Sequence, residues 1–394
     1  MSRLYGLFAG GVAAWALTAG LHQVLFAWLL VGVLREAPAW IGMAQMCQML
    51  PSFLFLLVGG ATADRLDRRR LLMTLHAAAA AAALALAIAT AAGKLDLLVL
   101  VSYALVWGTI WTFALPARDA LLAEVAGADM LRAVTGVTLA QFGGQALGTR
   151  LAGIAGWAGG GGALTLLAAL ALLSALPIVA LPATPSHSRR GGRGRARAGI
   201  REGLREVWGS PVLRPIALLV SANGLFFMGP YLVLCPLLVR DLYRGDVGSL
   251  SLAMMVFTLG TMAGSSFVLW RGGVRRKGRV FLLALLTVAS SLVAVAFRPP
   301  FAGFLALLFA WGVGHSFFLN TSRTLFQEAA PESHRARVLS VHALGLLGMA
   351  PLSNLGAGLL AGLVGPLVGC AVAGVAMIVL TALAWLFTRL AHQE

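Results

Sequence analysis

The sequence predicts an all-α integral membrane protein with twelve transmembrane helices, and three observations carry that reading. The 394-residue chain is 59% hydrophobic and only 11% charged, with a mean hydropathy of +0.88, outside the range of soluble globular domains. Apolar stretches long enough to cross a bilayer, about 20 residues each, recur along its whole length. Arginine clusters separate alternate stretches, as the positive-inside rule requires.

The apolar stretches run Leu7–Leu34, Trp40–Thr62, Leu71–Ala92, Leu95–Leu115, Leu131–Ala155 and Ala163–Leu181. After a basic interval they continue with Val212–Val239, Ser249–Trp270, Val280–Phe297, Phe301–Leu319, Val338–Leu363 and Pro366–Leu390. Gly93-Lys94 and Gly365-Pro366 are the only breaks between spans three and four and between eleven and twelve, so both pairs are expected to be tight hairpins. The first stretch is too long for a signal-peptide core and lacks a cleavage motif, so it reads as a first span.

Charge sets the expected orientation. One side collects Arg3, the cluster Arg65, Arg68, Arg69 and Arg70, the 4–5 loop with Arg118 and Arg132, and the 8–9 loop with Arg271, Arg275, Arg276, Lys277 and Arg279. It also collects Arg323, Arg335 and Arg337 between spans ten and eleven, Arg389, and the central run Arg189, Arg190, Arg193, Arg195, Arg197, Arg201, Arg205 and Arg214. The opposite side holds only Arg35, Lys94, Arg240, Arg244 and Arg298. Both termini are therefore expected in the cytoplasm. A net charge of +16 could suggest nucleic acid. Here the arginines lie between apolar runs with no soluble basic domain to hold them, so anionic lipid is the expected partner and nucleic acid is not. Cys47, Cys235 and Cys370 sit far apart inside apolar runs, without metal or redox spacing, and read as buried thiols.

The domain boundaries expected are a first six-helix bundle over 1–181, a basic cytoplasmic linker over 182–211 and a second bundle over 212–394. The linker opens flexibly with Pro185-Ser186-His187-Ser188-Arg189-Arg190-Gly191-Gly192. Ile200–Trp208 then spaces apolar residues at helical intervals, as in a short amphipathic helix on the inner membrane surface. A binding site for a regulatory protein and a simply solvated linker remain open for this segment.

Between spans two and three lies Gly60-Ala61-Thr62-Ala63-Asp64-Arg65-Leu66-Asp67-Arg68-Arg69-Arg70. This string resembles the G-x-x-x-D-R-x-G-R-R loop of the major facilitator superfamily, with Asp67 where that pattern has glycine. The halves of the chain also repeat. Asp119–Ala126 after span four is matched by Arg323–Ala330 after span ten, pairing Glu124 with Glu328, and the 8–9 loop occupies the place of a degenerate second copy of the charged loop. Six plus six spans in parallel repeat is the plan of that superfamily's fold, whose substrate site lies between the halves near the midplane. Within it, Pro116–Gly153 and Asn320–Gly362 are similar to the drug-proton antiporter branch containing macrolide and enterobactin exporters. The resemblance implies a cytoplasmic gate of Gly60, Asp64, Arg65, Arg68 and Arg69; on physical grounds Asp64 could accept bonds from nearby helix N-terminal amides or from an arginine such as Arg118. The substituted Asp67 puts the turn's geometry in question.

Span five carries Gly136, Ala140, Gly144, Gly148, Ala152 and Gly156 at four-residue spacing, a stripe that permits close helix packing. Gly144-Gln145-Ala146-Leu147-Gly148 resembles the antiporter motif G-P-x-x-G with Gln145 for proline, and span eleven keeps Pro351 in the corresponding place. Arg150 lies about 200° around the helix from Gly148. It either faces the cavity or snorkels to the outer headgroups.

The substrate-cavity candidates are His22, Gln23, Gln45, Gln48, Tyr103, Trp107, Trp111, Arg150, Asn223, Phe227 and His315. Gln45 and Gln48 lie three apart on one face. Tyr103, Trp107 and Trp111 form an aromatic stripe, and Phe226, Phe227 and Tyr231 form a looser one. Each polar residue could instead bond neighbouring helices, and each ring could pack against protein or lipid. No Asp or Glu lies near the middle of a span, so coupling would use His22 or His315, the mid-span groups with a suitable unperturbed pKa, or a carboxylate at a boundary such as Asp64, Asp119 or Glu124.

No catalytic, metal or cofactor constellation is present, and no phosphate-binding glycine loop ends in Lys-Ser/Thr, so no enzyme activity is expected. The function expected is a secondary active transporter, a monomer of a bacterial inner membrane. The resemblance implies export of an amphiphilic small molecule, a siderophore or drug-like compound, by alternating access with protons as coupling ion. Uptake or flipping of a nutrient or lipid by the same fold, or a non-transporting membrane receptor or scaffold, are the alternatives.

Overall fold

The computed structural model describes residues 3–125, 130–155, 159–181, 193–331, 334–388 and 390–392. Every regular element among them is helical. In order these are α1 (Arg3–Trp28), α2 (Pro38–Arg65), α3 (Arg68–Ala91), α4 (Leu97–Val125), α5 (Met130–Ala155), α6 (Gly159–Leu173), α7 (Leu176–Val179) and α8 (Arg193–Gly209). Then come α9 (Leu213–Gly229), α10 (Cys235–Asp241), α11 (Val247–Trp270), α12 (Lys277–Val295), α13 (Phe301–Ala329), α14 (Arg335–Gly348), α15 (Ala350–Val364) and α16 (Pro366–Phe387). Ten stretches among the described residues are long and apolar enough to cross a membrane, so the chain is a multi-pass membrane protein.

Several elements depart from the boundaries expected from hydropathy. α4 runs ten residues past Leu115 and α13 ten past Leu319. Nothing in Pro116–Val125 or Asn320–Ala329 stops a helix: Pro116 is accommodated inside α4, and the residues after it are good helix formers. Arg118, Asp119 and Glu124, and likewise Arg323 and Glu328, therefore stand on helices rather than in loops. The eleventh stretch is split, with α14 ending at Gly348 and Pro351 in the first turn of α15. That is the place where a helix tolerates a missing N–H. The seventh stretch passes through a π-helical turn at Pro230–Leu234, which opens on proline. The two expected hairpins do turn at glycine: Gly93 has φ +68° and Gly365 φ +83°, a region costly for a side chain.

Cα proximity divides the chain into two compact units. Unit 1 comprises Met1–Glu36, Cys47–Gly191 and Gly245–Met255; unit 2 comprises Ala37–Met46, Gly192–Arg244 and Val256–Glu394. Within unit 1, α1 and α5 touch backbone to backbone. A Cβ on Gly144 would strike Ala13 O, one on Gly148 would strike Leu17 O, and one on Gly20 would strike Gln145 O. The small stripe of span five thus packs on α1, where dispersion and close backbone approach take the place of a hydrophobic driving force. The start of α11 belongs to this unit too, with Ser251 Oγ donating to Thr149 O at 2.7 Å.

Unit 2 repeats the device. Gly224 lies against Leu346 O and Gly229 against Ser353 O, so α9 packs on α14 and α15 as α1 packs on α5. Gly108 of α4 meets Gln48 O of α2 in unit 1, and Gly312 of α13 meets Phe257 O of α11 in unit 2. The first residues of α2 belong to unit 2, where Gly42 abuts Gly358 and Asn354 Nδ2 donates to Gln45 O at 3.2 Å. The core of unit 2 is built on Phe281, Leu285, Phe318 and Phe326, and that of unit 1 on Phe8, Leu72, Ala117 and Leu121.

Candidate functional site

Unit 1 holds a column of near-parallel rings. Phe26 and His22 of α1 stack at 5.7 Å, His22 and Trp107 of α4 at 3.8 Å, Trp107 and Trp15 at 5.8 Å, and Trp15 and His76 of α3 at 4.3 Å. The helices supply it by periodicity. Trp15 and His22 are seven residues apart on α1, and Tyr103 and Trp107 four apart on α4, so each pair shares a helix face. His22 is 3% exposed and Trp107 also 3%.

The polar edges of this column are closed. Tyr103 Oη lies 2.9 Å from His22 Nδ1, and Gln48 Nε2 of α2 lies 2.8 Å from His22 Nε2. With Gln48 donating, Nε2 accepts and Nδ1–H donates to the tyrosine oxygen, so one tautomer satisfies both contacts. At the far end Ser174 Oγ lies 2.9 Å from His76 Nδ1. Next to the column, Trp15, His76, Trp111 and Arg118 line a small cavity of about 20 Å³ with Phe8 and Leu72.

Unit 2 presents a matching arrangement with the roles exchanged. His315 of α13 stacks on Phe227 of α9 at 4.3 Å and 6°, and Trp311 meets Phe227 edge-on at 5.2 Å. Tyr231 and Phe257 pack 4.3 Å apart beside them. Trp311 stands 204 residues after Trp107 and His315 204 after Trp111. The histidine therefore comes from the first helix of the group in unit 1 and from the fourth in unit 2. Here the edges are open. Asn223 Nδ2, Trp311 Nε1 and His315 Nδ1 are buried and have no hydrogen-bond partner among the described residues. Asn223 is 1% exposed, Trp311 2% and His315 9%.

The structure separates other candidates. Gln45 and Gln48 share a face of α2 but not a site: Gln45 Nε2 donates to Leu232 O in unit 2, while Gln48 bonds His22 in unit 1. Gln23 accepts from Gln145 Nε2 at 3.2 Å. The glutamine standing where the antiporter motif has proline thus ties α5 to α1. Phe226 packs into the core of unit 2, away from the partners of Phe227 and Tyr231. Arg150 is exposed on α5, and its backbone oxygen accepts from Ser251 Oγ.

The charged stretch between α2 and α3 is described in part. Gly60, Asp64 and Arg65 close α2, but their side chains lie outside the described residues. Asp67 is the N-cap of α3, with φ −60° and ψ 111°, accepting from Arg69 N at 3.0 Å and Arg70 N at 3.4 Å. That backbone needs no glycine, which answers the doubt about the turn: the substitution adds a helix cap. Arg68 pairs with Glu124 at the end of α4, and Arg69 donates to Val179 O. Arg118 pairs with Asp119 at 3.1 Å and donates to Gln141 Oε1 at 3.0 Å. Unit 2 carries a counterpart to the Arg68–Glu124 pair: Lys277 at the start of α12 holds Glu328 at the end of α13, at 2.7 Å.

Two residues outside the spans have shifted acidity. Asp246 caps α11, accepting from the backbone N–H and hydroxyl of Ser249, both at 2.9 Å, and these bonds hold its carboxyl below the usual range. Burial, and then the neighbouring Cys235, push the Tyr243 hydroxyl up to about 12, and it donates to Pro299 O at 2.9 Å.

Sequence reading missed Trp15, Phe26, His76, Glu124 and Lys277 as members of these groups. Trp15, seven residues before His22, was the one with a usable signal. The sequence marks Glu124 as a repeat partner of Glu328 and as a carboxylate at the end of span four, but its pairing with Arg68 spans 56 residues.

The comparisons with known proteins agree with this fold. The family model described as Major Facilitator Superfamily matches residues 6–346. The multidrug efflux pump Tap of Mycolicibacterium fortuitum is 30% identical over 158 residues, 39% of this chain and 38% of Tap; the match thus spans well under half of that relative's length. Among solved structures, a POT family transporter in complex with 5-aminolevulinic acid superposes with a TM-score of 0.77 at 11% identity, over 100% of this chain and 97% of that one. The D-xylose-proton symporter gives 0.74 at 14% identity over 98% and 97%, and the nucleoside transporter NupG 0.73 at 14% over 98% and 99%. At such identities the likeness is one of fold. With the helical plan above and a family match over most of its length, the chain belongs to the Major Facilitator Superfamily.

Proposed function

We propose that this chain is a twelve-helix secondary transporter of two six-helix repeats that exports an amphiphilic, drug-like or siderophore-like small molecule by alternating access. Its organisation is then 1–181, a linker over 182–211, and 212–394, in a bacterial inner membrane with both termini cytoplasmic. The observation that carries the substrate class is the donor set of Asn223, Trp311 and His315, buried among aromatic rings without partners among the described residues. Trp Nε1 and the Asn amide nitrogen only donate, so the complementary ligand offers acceptor oxygens on a broad apolar frame, as macrolides and siderophores do. A buried donor left unpaired costs about 1–3 kcal/mol, and a ligand that pairs it recovers that energy.

Export is supported by the partial likeness to Tap. No carboxylate in the sequence falls near the middle of a span, so proton coupling would use His22 or His315, or a boundary carboxylate such as Glu124. The cytoplasmic gate comprises the 60–69 stretch with Glu124 and Arg118. Gln145, bonded to Gln23 where the antiporter motif has proline, favours inward transport or flipping as the second reading.

The test is accumulation of a fluorescent macrolide in inverted vesicles from cells expressing the full chain, with and without an imposed pH gradient. Gradient-dependent accumulation above that of vesicles lacking the chain is expected, with Trp311→Phe and Asn223→Leu each lowering it about tenfold, roughly one lost hydrogen bond. Equal accumulation with and without the gradient removes proton coupling. No difference between vesicles with and without the chain removes the export reading.

A further inference from the structure

α8 joins the two halves of the sequence, and its two faces have different partners. One face is seated on unit 2. Gly203 approaches α14 so closely that a Cβ there would lie 2.6 Å from Arg337 O, Val207 is 1% exposed, and Leu204 packs against the core. Glu202 secures this seat by pairing with Arg337 Nη1 at 2.6 Å and His334 Nε2 at 3.1 Å. The apolar face that the sequence offered to the membrane is thus spent on protein.

The opposite face is exposed among the described residues. Arg201 and Arg205 are exposed, and at 100° per residue each lies about 160° around the helix from Gly203. Neither has an ion-pair partner among the described residues. Trp208 follows one turn after Arg205 and is 52% exposed. The same four-residue spacing recurs upstream in the sequence at Arg197 and Arg193. The apolar stretch Leu213–Asp241, long enough to cross a membrane, begins five residues after Trp208, so Arg205 and Trp208 lie close along the chain to the start of a span.

We propose that this outer face of α8 is a binding site for anionic phospholipid, with Arg201 and Arg205 holding the phosphodiester and Trp208 resting at the interface. Guanidinium forks match phosphate oxygens two by two, and tryptophan favours the boundary between headgroup and hydrocarbon. The exposed indole beside the arginines, so near the start of a span, favours lipid over an acidic soluble partner. Because α8 is clamped to α14 through Glu202, an occupied headgroup site also fixes the start of α14.

The experiment uses the purified full chain, with retained lipid counted by native mass spectrometry after exposure to phosphatidylglycerol or phosphatidylcholine. The wild type is expected to retain phosphatidylglycerol selectively. Each arginine replaced by glutamine should reduce that selectivity about fivefold, so Arg201→Gln with Arg205→Gln should lose about 25-fold. Arg275→Gln with Arg276→Gln, on another basic loop, serves as control and should leave it unchanged. Equal retention by wild type and the α8 variant overturns the proposal, as does an equal loss in the control, which would mean only a diffuse field of arginines. Displacement of the lipid by millimolar inorganic phosphate, or by a glutamate-rich peptide at lower concentration than phosphatidylglycerol requires, would also overturn it in favour of a soluble anion or an acidic protein. Elution volume and thermal unfolding of both variants report folding, and since lipid retention needs no transport, failure of the export reading leaves this result readable.

Discussion

His22 and His315 are each a buried histidine stacked on an aromatic ring between the same pair of helices in its unit, yet their surroundings differ in kind. His22 has both ring nitrogens engaged, by Tyr103 and Gln48, within a column of five rings. His315 has a good stacking partner in Phe227 and an unengaged Nδ1, beside two further unengaged donors at Trp311 and Asn223. A closed polar network rigidifies its surroundings, and an open one pays the desolvation penalty until something arrives to pair it. The first therefore has the character of a structural strut, and the second is the group on which the proposed ligand site rests.

The largest expected effect tests the strut. Trp107 lies between His22 and Trp15 and is almost fully buried, so Trp107→Ala should lower unfolding stability by about 3–5 kcal/mol, seen as a large drop in the thermal midpoint of the detergent-solubilised protein. A drop no greater than that of an exposed substitution such as Leu147→Ala would break the assignment.

A paired substitution sharpens the contrast directly. His22→Phe leaves Tyr103 and Gln48 each short of a partner and should cost about 2–4 kcal/mol. His315→Phe keeps the stack on Phe227 and removes an unpaired nitrogen, so its stability should change by under about 1 kcal/mol while transport falls. If the two variants destabilise equally, the difference between the units has no energetic meaning.

The smallest effect concerns the pH background against which such variants are compared. The Asp246 carboxyl is held below its usual range by its bonds to Ser249. Its contribution is therefore fully present above the ordinary aspartate pKa of about 3.9 and is lost as pH falls through the lower folded value. Asp246→Asn keeps a capping oxygen and should flatten that acid limb of the unfolding curve without moving the neutral-pH midpoint much. An unchanged acid limb would assign it to other carboxylates.

How legible these regions were in the sequence differs residue by residue. The Tyr103–Trp107 stripe and the small stripe of span five were readable because a single helix's periodicity places them. Packing then had to choose their partners: Trp107 could have met lipid, and the structure puts it against His22. Gln45 and Gln48 looked like one site because they share a helix face. They part because the start of α2 associates with α15 and the rest with α1 and α4, which no local pattern encodes. Asp67 looked like a defect against a family pattern, and only the backbone angles show it as a cap.

By itself the sequence determined the class of protein, the approximate spans, the charge asymmetry and the family. Each of these follows from hydropathy, sign of charge or a local motif, and the bilayer demands them of any chain that crosses it. Tertiary structure alone decided that α4 and α13 continue past their apolar runs, that α8 gives its apolar face to α14 rather than to lipid, and that one histidine is satisfied while the other is not. Those outcomes turn on which side chains from distant segments arrive within about 3 Å of one another. Hydrogen bonding at that range is a property of the assembled helices and not of any stretch read alone.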